Sequence, residues 1–302
     1  MIIEKKQTRR DSCIFQWSYF SAAREGLKSI LMQPELAGKK ILLPAYIGYS
    51  TREGSGVFDP VTAVGTPYVF YRMDCFLNID VADLQKKIPR NPGQILFIIH
   101  YFGFKDKDID RIKKLARAQN MVIIEDFAHA FYTFYNDQCL GFDYAIFSLH
   151  KMFPEIDGGM VLCNKLLYEQ KEAQYYDLFR YNLPLIMERR RENYTHILNA
   201  LRRRGRKERI RVMRPVIGRH VPQTFPILLT DSAVRDRMYF GMNEAGYGVV
   251  SLYHELIAPL DRSFSVEHNI SSRILNLPVH QDISPAQLDG MLKVFFSLLK
   301  KD

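Results

Sequence analysis

Residues 121–151, MVIIEDFAHAFYTFYNDQCLGFDYAIFSLHK, decide how this chain folds. The stretch opens and closes with two β-rich runs, residues 121–127 and 143–148, in which apolar positions follow one another without alternation. That pattern is typical of strands that are covered on both faces, as in a parallel sheet. Polar side chains stand where the runs stop, with Asp126 in the first and Lys151 just after the second. The stretch therefore predicts two buried strands whose ends carry candidate functional groups.

The same pattern extends outward over the first two-thirds of the chain. The other strand candidates are KILLP (40–44), PYVFY (67–71), QILFIIHY (94–101) and GMVLCN (159–164). Between them lie helical segments, residues 78–88 and 105–120, and in the second of these the apolar residues recur at helical spacing. Alternation of strands and helices indicates an α/β fold, with a mostly parallel sheet and helices on both faces.

The pattern changes from about residue 180 onward. A long basic helix is predicted at 185–204, followed by the apolar segment TFPILL (224–229), a helix-like segment at 231–246 and the apolar segment YGVVSL (247–252). A last amphipathic helix is predicted from Ser284 to Lys300, because a capping serine is followed by proline at the first helical position. Fewer strands and more helix predict a smaller C-terminal α+β domain. The boundary is expected within 165–185, which gives a large domain at 1–180 and a small one at 181–302.

Composition limits the kind of protein. The chain has 302 residues, of which 47% are hydrophobic and 25% charged, as in ordinary soluble globular proteins. The longest apolar runs are too short to cross a bilayer, and the charged N-terminus lacks the apolar stretch of a signal peptide. The cysteines are widely scattered without a C-x-x-C pair: Cys13, Cys75, Cys139 and Cys163. We therefore expect a cytoplasmic protein with reduced thiols, no membrane contact and no metal site.

The net charge of +9 is unevenly distributed. Residues 202–214, RRRGRKERIRVMR, carry eight basic side chains and one acidic one. A solvated helix with a trailing loop, a nucleic-acid patch and a surface that attracts a phosphorylated substrate all remain open, because charge alone does not choose between them. No nucleic-acid partner is predicted, since the segment has no interleaved aromatic residues and no known binding motif surrounds it.

Polar groups follow three strands that we expect to be neighbours. His100 closes one run, Asp126 closes the next with His129 close behind, and Ser148 and Lys151 follow the third. Ligands of open parallel sheets bind at the carboxyl ends of the strands, so this edge is the predicted site. The chain has no G-x-G-x-x-G after a first strand, no G-x-x-x-x-G-K-[ST] and no G-x-S-x-G, which argues against the usual nucleotide sites and against a serine hydrolase.

A pyridoxal phosphate enzyme accounts for these residue types. Its lysine forms a Schiff base with the cofactor aldehyde, and an aspartate keeps the pyridine nitrogen protonated. A hydroxyl and the backbone N–H groups of a helix start bind the phosphate. In SLHK, Ser148 and Lys151 are three residues apart, which is close enough for one turn to direct both at one cofactor.

Several segments resemble the DegT/DnrJ/EryC1/StrS family of sugar aminotransferases. They are SAAREGLKSIL (21–31), LLPAYIGYS (42–50), IIHYFG (98–103), VIIEDFAHAF (122–131), KMFPEIDGGMV (151–161) and SSRILNLPVHQDISPAQLDGM (271–291). The resemblance implies the aspartate aminotransferase-like fold of fold type I enzymes, with a seven-stranded, mostly parallel sheet. It also implies pyridoxal 5'-phosphate as the cofactor.

The matched motifs imply roles for individual residues. Lys151 would bond the cofactor, Asp126 would pair with the pyridine nitrogen, and His129 would contact the phenolic oxygen. The remaining positions implied to bind the cofactor are Ser148 and the backbone of Ala22, Ala23 and Arg24 at the phosphate, and Tyr46 stacking on the ring. The glycine pair 158–159 would form a turn before the next strand.

The resemblance implies transfer of an amino group, from glutamate, to a keto-sugar linked to a nucleotide, for polysaccharide or secondary-metabolite synthesis. It also implies a homodimer, and the aromatic-rich segment at 127–137 gives modest independent support.

Three departures from the family pattern leave other functions open. Ser148 precedes the lysine by three residues rather than five, Ala22-Ala23 stand where the family has Ser-Gly, and the family's cross-subunit loop has no counterpart before IMERRREN (186–193). The alternatives are a binding protein without transfer chemistry and, because His150 adjoins Lys151, a pyridoxal phosphate-dependent sugar dehydratase.

Overall fold

The computed structural model describes residues 16–137, 141–164, 167, 177–204 and 209–300. The strands are β1 Gln16–Phe20, β2 Ile41–Pro44, β3 Tyr68–Tyr71, β4 Ile95–Ile99, β5 Val122–Asp126, β6 Tyr144–Ser148, β7 Gly159–Cys163, β8 Ile210–Val212, β9 Thr224–Leu229 and β10 Ile274–Pro278. The helices are α1 Ala23–Leu31, α2 Phe58–Val64, α3 Val81–Lys87, α4 Ile109–Arg117, α5 Phe131–Asp137, α6 Leu183–Arg204, α7 Ser232–Glu244, α8 Ser265–Arg273 and α9 Pro285–Leu299.

Strands β1 to β7 form one seven-stranded sheet in the spatial order β1-β7-β6-β5-β4-β2-β3. Neighbours from β3 to β6 pair in parallel, whereas β7 runs antiparallel to both β1 and β6. The predicted mostly parallel sheet is therefore confirmed. Because β4, β5 and β6 point the same way, their carboxyl ends meet at one edge, and the reversed β7 begins at that edge.

The sheet is covered by apolar side chains on both faces. Along β4, Ile95 and Phe97 belong to one buried cluster, and Leu96 and Ile98 belong to another. Successive side chains of a strand point to opposite faces, so a strand covered twice needs apolar residues at every position. This explains why the sequence shows apolar runs without alternation.

The second sheet is antiparallel and has the order β10-β9-β8. Helices α6 to α9 accompany it, and α9 starts with a capping box at Ser284 followed by Pro285, as the sequence predicts. Phe225 of β9 lies in the same hydrophobic cluster as Leu96 of the large sheet, so the two sheets share a continuous core. None of the helices in the described ranges combines the length and the apolar character needed to cross a bilayer.

The division into domains 1–180 and 181–302 stays a prediction. Its boundary falls between the last strand of the large sheet and α6, and residues 165–166 and 168–176 of that region lie outside the described residues. Cys13 and Cys139 also lie outside them, while Cys75 is exposed and Cys163 is buried, and neither forms a disulfide within the described part of the chain.

The structure defines two segments of the second half that the sequence left open. Residues 247–252 form no strand and make only an isolated bridge from Val250 to Asn276, because Gly246 and Gly248 have φ angles of +83° and +57° that interrupt an extended chain. In the basic segment, α6 ends at Arg204 and β8 occupies 210–212; residues 205–208 lie outside the described part.

Candidate active site

The carboxyl edge of the large sheet brings together Asp126, His129 and Lys151. Asp126 is the last residue of β5, and His129 follows in the turn before α5. Lys151 comes three residues after the end of β6, and its Nζ lies 3.4 Å from Nε2 of His129. The charge of Asp126 acts on that amine, which places the carboxylate within electrostatic reach of it. The three predicted chemical groups therefore meet.

Asp126 is buried with few groups that stabilise its negative charge. It is 8% exposed, and its Oδ1 accepts a hydrogen bond of 2.7 Å from the backbone N–H of Ala128. Burial raises the pKa of Asp126, because the carboxylate loses its hydration, although the Ala128 hydrogen bond and the charge of Lys151 act in the opposite direction. A buried carboxylate in this state gains stability from a cationic ligand group.

His129 and Lys151 are both shifted towards their neutral forms. Lys151 keeps exposed surface, yet the protein atoms around its amine lower the pKa of Lys151, and the charge of Asp126 only opposes this shift. Burial and the charge of Lys151 hold the pKa of His129 well below its usual value. More of Lys151 is therefore neutral amine at a given pH than for a lysine in water, and the neutral amine is the form that attacks a carbonyl carbon.

The loop that carries Lys151 is fixed by neighbouring elements. Tyr132 of α5 donates its hydroxyl to the carbonyl of Met152 at 2.6 Å. Gly158 donates its backbone N–H to the carbonyl of Ser21 at 2.9 Å, and its φ of +107° is one that side-chain-bearing residues rarely adopt. Gly158 therefore makes the predicted turn and returns the chain to the start of α1, whereas Gly159 is already the first residue of β7.

The start of α1 lies against β7, beside this loop. Ser148 pairs with Gly159 across β6 and β7, and its Oγ lies 3.4 Å from Nδ1 of His150. A Cβ at Gly159 would overlap the backbone of Ala22 and Ala23, so glycine alone allows this close approach. No side chain caps α1. Uncapped N–H groups at a helix start are an anion-binding arrangement.

Arg24 extends the same region. Its Nη1 donates to the carbonyl of Glu53 at 2.8 Å, and its positive charge lowers the pKa of Lys151, although less than burial does. Arg24 is therefore within electrostatic reach of the lysine amine, which connects the start of α1 with the cluster at the strand ends.

Tyr46 occupies a different environment from the one predicted. It is fully buried, its hydroxyl donates to the carbonyl of Leu252 at 3.4 Å, and its ring meets those of Tyr101 and Tyr253 edge-on, with centroids 5.6 Å apart in each pair. Its ring has no exposed face. The stacking role of Tyr46 stays a prediction.

Two aromatic residues that the sequence did not single out form a cluster with His129. Its ring centroid lies 6.1 Å from that of Phe102 and 5.7 Å from that of Tyr253, with interplanar angles of 19° and 28°. The Tyr253 hydroxyl lies 3.4 Å from His129 Nε2. Phe102 belongs to the IIHYFG segment and so had a sequence signal. Tyr253 stands in no motif, and only the folded chain brings it to the site.

Glu125 and His100, which also stand at the strand ends, form a separate buried cluster. His100 Nε2 lies 2.8 Å from Glu125 Oε2, and Lys113 of α4 pairs with the other carboxylate oxygen. Burial alone would raise the pKa of Glu125, but the hydrogen bond to His100 and the charges of His100 and Lys113 outweigh it and lower the pKa. Adjacent strand residues face opposite sides of a sheet, so Glu125 points away from Asp126.

The chain has the fold of fold type I pyridoxal phosphate-dependent aminotransferases. Its structure is similar to that of a DegT/DnrJ/EryC1/StrS aminotransferase from Brucella abortus, with a TM-score of 0.73 and 20% identity, covering 94% of this chain and 86% of that one. It is also similar to NtdA from Bacillus subtilis, solved with bound cofactor PMP, with a TM-score of 0.73 and 16% identity over 94% of this chain and 73% of that one.

Residues 34–177 match the model of the DegT/DnrJ/EryC1/StrS aminotransferase family. A stretch of 97 residues is 33% identical to GDP-perosamine synthase of Escherichia coli O157:H7, covering 30% of this chain and 26% of that protein. The chain thus matches about a quarter of the length of that curated relative. The match to the family model over residues 34–177 confirms, for that part of the chain, the resemblance read from the sequence.

Proposed function

We propose that the protein is a pyridoxal phosphate-dependent aminotransferase that acts on a keto-sugar. The observation that carries the proposal is the meeting of Lys151, Asp126 and His129 at the carboxyl edge of the sheet. Residues 34–177 match the model of an aminotransferase family, which supports the same activity.

The residues present fit the cofactor. Lys151 offers an amine with a lowered pKa to an aldehyde, and Asp126 offers a buried carboxylate to a protonated ring nitrogen. Nδ1 of His129 is buried with no hydrogen-bond partner among the described atoms, so the ring can adjust its hydrogen bonding to a ligand. The uncapped start of α1, with Ala22 and Ala23 against Gly159, suits a phosphate.

In this proposal each residue has a distinct task. Pyridoxal phosphate supplies an electron sink for negative charge on the carbon next to the amino nitrogen. With the cofactor bound, Asp126 would hold a proton on the ring nitrogen through an ion pair. The Nζ of Lys151, whose pKa is lowered, would accept the proton from the substrate carbon. His129 would contact the phenolic oxygen and orient the ring.

The phosphate is bound in the proposal by Ser148, Arg24 and the backbone of Ala22 and Ala23. Backbone N–H groups at a helix start and a guanidinium are donors that match phosphate oxygens. Gly159 contributes by letting β7 lie against the helix start.

The substrates form the finer part of the proposal. A nucleotide-linked keto-sugar as acceptor is supported by the similarity to GDP-perosamine synthase, and the net charge of +9 favours a phosphorylated substrate. Glutamate as donor follows from the resemblance.

We further propose a cytoplasmic homodimer. The homodimer follows from the resemblance, and light scattering at low micromolar concentration tests it.

Borohydride reduction tests the covalent role of Lys151. Protein purified with pyridoxal phosphate should carry a visible absorption band, and reduction should leave the cofactor attached to the peptide that contains Lys151. Lys151→Ala should lose this attachment, whereas Lys107→Ala, at an exposed lysine, should keep it. Attachment to another lysine would overturn the site.

Glutamate then tests the activity. Mixing it with the loaded protein should convert the visible band to that of the pyridoxamine form, and 2-oxoglutarate should reverse the change. A loaded protein that ignores all amino donors would instead be the binding protein without transfer chemistry.

A further inference from the structure

Tyr253 combines an unusual backbone conformation with a position at the candidate site. Its φ is +61°, a region that a residue with a bulky side chain rarely adopts. Phe102, whose ring also contacts His129 and lies 6.4 Å from the Tyr253 ring between centroids, has a φ of +58°. Residues held in such conformations persist only where their surroundings fix them, and they cluster at functional sites.

Several contacts fix Tyr253. A Cβ at Gly48 would overlap the Tyr253 ring, so the ring packs directly on the backbone of that glycine. The buried Ser271 donates its hydroxyl to the carbonyl of Tyr253 at 2.8 Å, and the Tyr46 ring packs edge-on at 5.6 Å. Contacts to the backbone carbonyl and to the ring therefore fix the position of the Tyr253 phenol.

The fixed hydroxyl is directed at the site. It lies 3.4 Å from His129 Nε2, and the same nitrogen lies 3.4 Å from Nζ of Lys151. Burial raises the pKa of the Tyr253 phenol, so the hydroxyl keeps its proton at neutral pH and remains a hydrogen-bond partner. One imidazole nitrogen thus separates a strained tyrosine from the lysine amine.

We propose that Tyr253 is a positioning residue that acts through His129, fixing the orientation and tautomer of the imidazole so that Nε2 stays directed at Lys151. The hydrogen bond made by one ring nitrogen determines which nitrogen of a neutral histidine carries the proton. Nδ1 of His129 has no partner among the described residues, so the contacts at Nε2 decide the tautomer. The inference rests on the proposed function, since Lys151 and His129 are its working groups.

Nitrogen-15 NMR of the imidazoles in cofactor-free protein tests the tautomer directly. His129→Gln assigns the signals. Tyr253→Phe, which keeps the ring and removes the hydroxyl, should change the ratio of the two His129 tautomers, as read from both nitrogen shifts. Tyr49→Phe, at an exposed tyrosine in the neighbouring segment, should leave them unchanged. Unchanged His129 shifts in folded Tyr253→Phe would overturn the inference.

The loaded protein gives a second readout. In Tyr253→Phe the pH midpoint of the visible band should shift, and kcat should fall about tenfold while KM changes less than twofold, since a positioning defect lowers the rate rather than binding. Gly48→Ala, which displaces the ring but keeps the hydroxyl, should reproduce the shift. A wild-type pH midpoint in both variants would contradict the role. Absence of any visible band in the wild type would instead refute the proposed function, and the NMR test would still decide the role of Tyr253.

Discussion

Glu125 and Asp126 are consecutive residues of β5, and the protein treats their carboxylates in opposite ways. Glu125 is completely buried between His100 and Lys113, and its pKa is lowered. Asp126 is nearly as buried, but its hydrogen bond comes from the backbone of Ala128, and its pKa is raised. Strand geometry alone separates them, because neighbouring side chains point to opposite faces.

The difference separates a carboxylate that is paired inside the protein from one that is left able to pair with a ligand. On the face of the sheet that carries Glu125, helix α4 supplies Lys113. The carboxylate of Glu125 and the ammonium group of Lys113 therefore compensate one another inside the protein. The side with Asp126 faces the turn with His129 and the Lys151 loop, where compensation is incomplete. A buried group with a perturbed pKa beside other titratable groups is a candidate for binding and catalysis.

Of the substitutions that separate the two carboxylates, Asp126→Asn should have the largest effect. Transamination should fall by about a thousandfold or more, equivalent to roughly 4 kcal/mol, because the amide cannot form an ion pair with a protonated ring nitrogen. The midpoint of thermal unfolding should stay the same or rise, since a poorly compensated buried charge is removed. Single-turnover kinetics and a thermal melt measure the two effects. Turnover within tenfold of wild type would show that Asp126 does not have this role.

Glu125→Gln should have the opposite effect: it should lower the stability of the fold more than the rate of turnover. Loss of the carboxylate leaves His100 and Lys113 uncompensated, and breaking a buried ion pair costs about 3 kcal/mol of the free energy of unfolding. Urea denaturation measures the loss, and Glu255→Gln, at an exposed position, is the matched control. A Glu125→Gln protein as stable as wild type would mean that this cluster does not stabilise the fold.

Gly159→Ala should lower both the stability of the fold and the affinity for the cofactor, each to a smaller degree. The added methyl group would overlap the backbone of Ala22 and Ala23, and such overpacking costs about 2 kcal/mol. Displacement of the helix start should also weaken cofactor binding, measured by titration with pyridoxal phosphate. Gly56→Ala is the control, because a Cβ there meets no atom within 4 Å. Unchanged affinity in Gly159→Ala would remove the helix start from the binding site.

The smallest expected effect is in the titration of Lys151. Its folded-state pKa lies below the ordinary value near 10.4, so between those two values the unfolded chain binds more protons and stability rises with pH. Acetylation of cofactor-free protein, followed by mass spectrometry, should show Lys151 reacting at lower pH than a reference peptide. Asp126→Asn should lower its midpoint further, because the Asp126 charge raises the pKa of Lys151. A rise in Asp126→Asn would contradict the described geometry.

Local patterns predicted the parts of the fold that depend on local physics. The apolar runs of β2 to β7 identify strands covered on both faces, and the carboxyl-edge rule brings Asp126 and Lys151 together. β1 was not predicted, because its buried positions include Ser18 and its pairing partner lies far along the chain.

The contact of Tyr253 with His129 could not be predicted from the sequence. It requires the second half of the chain to dock on the first, and the chain reaches Tyr253 through an irregular segment with positive φ at Gly246 and Gly248. No periodicity or motif marks such a residue, since its role depends on where packing places it.

The pairing of β1 with β7 has a consequence for synthesis of the chain on the ribosome. Gln16 pairs with Cys163, and Phe20 with Gly159, so the first described strand remains without its neighbour until more than half of the chain has been made. Contacts between such distant residues form slowly, because a long loop must close first. A nascent chain that ends before Gly159 therefore lacks the surface on which the start of α1 rests, and we expect the ability to hold phosphate to appear only after β7 has emerged.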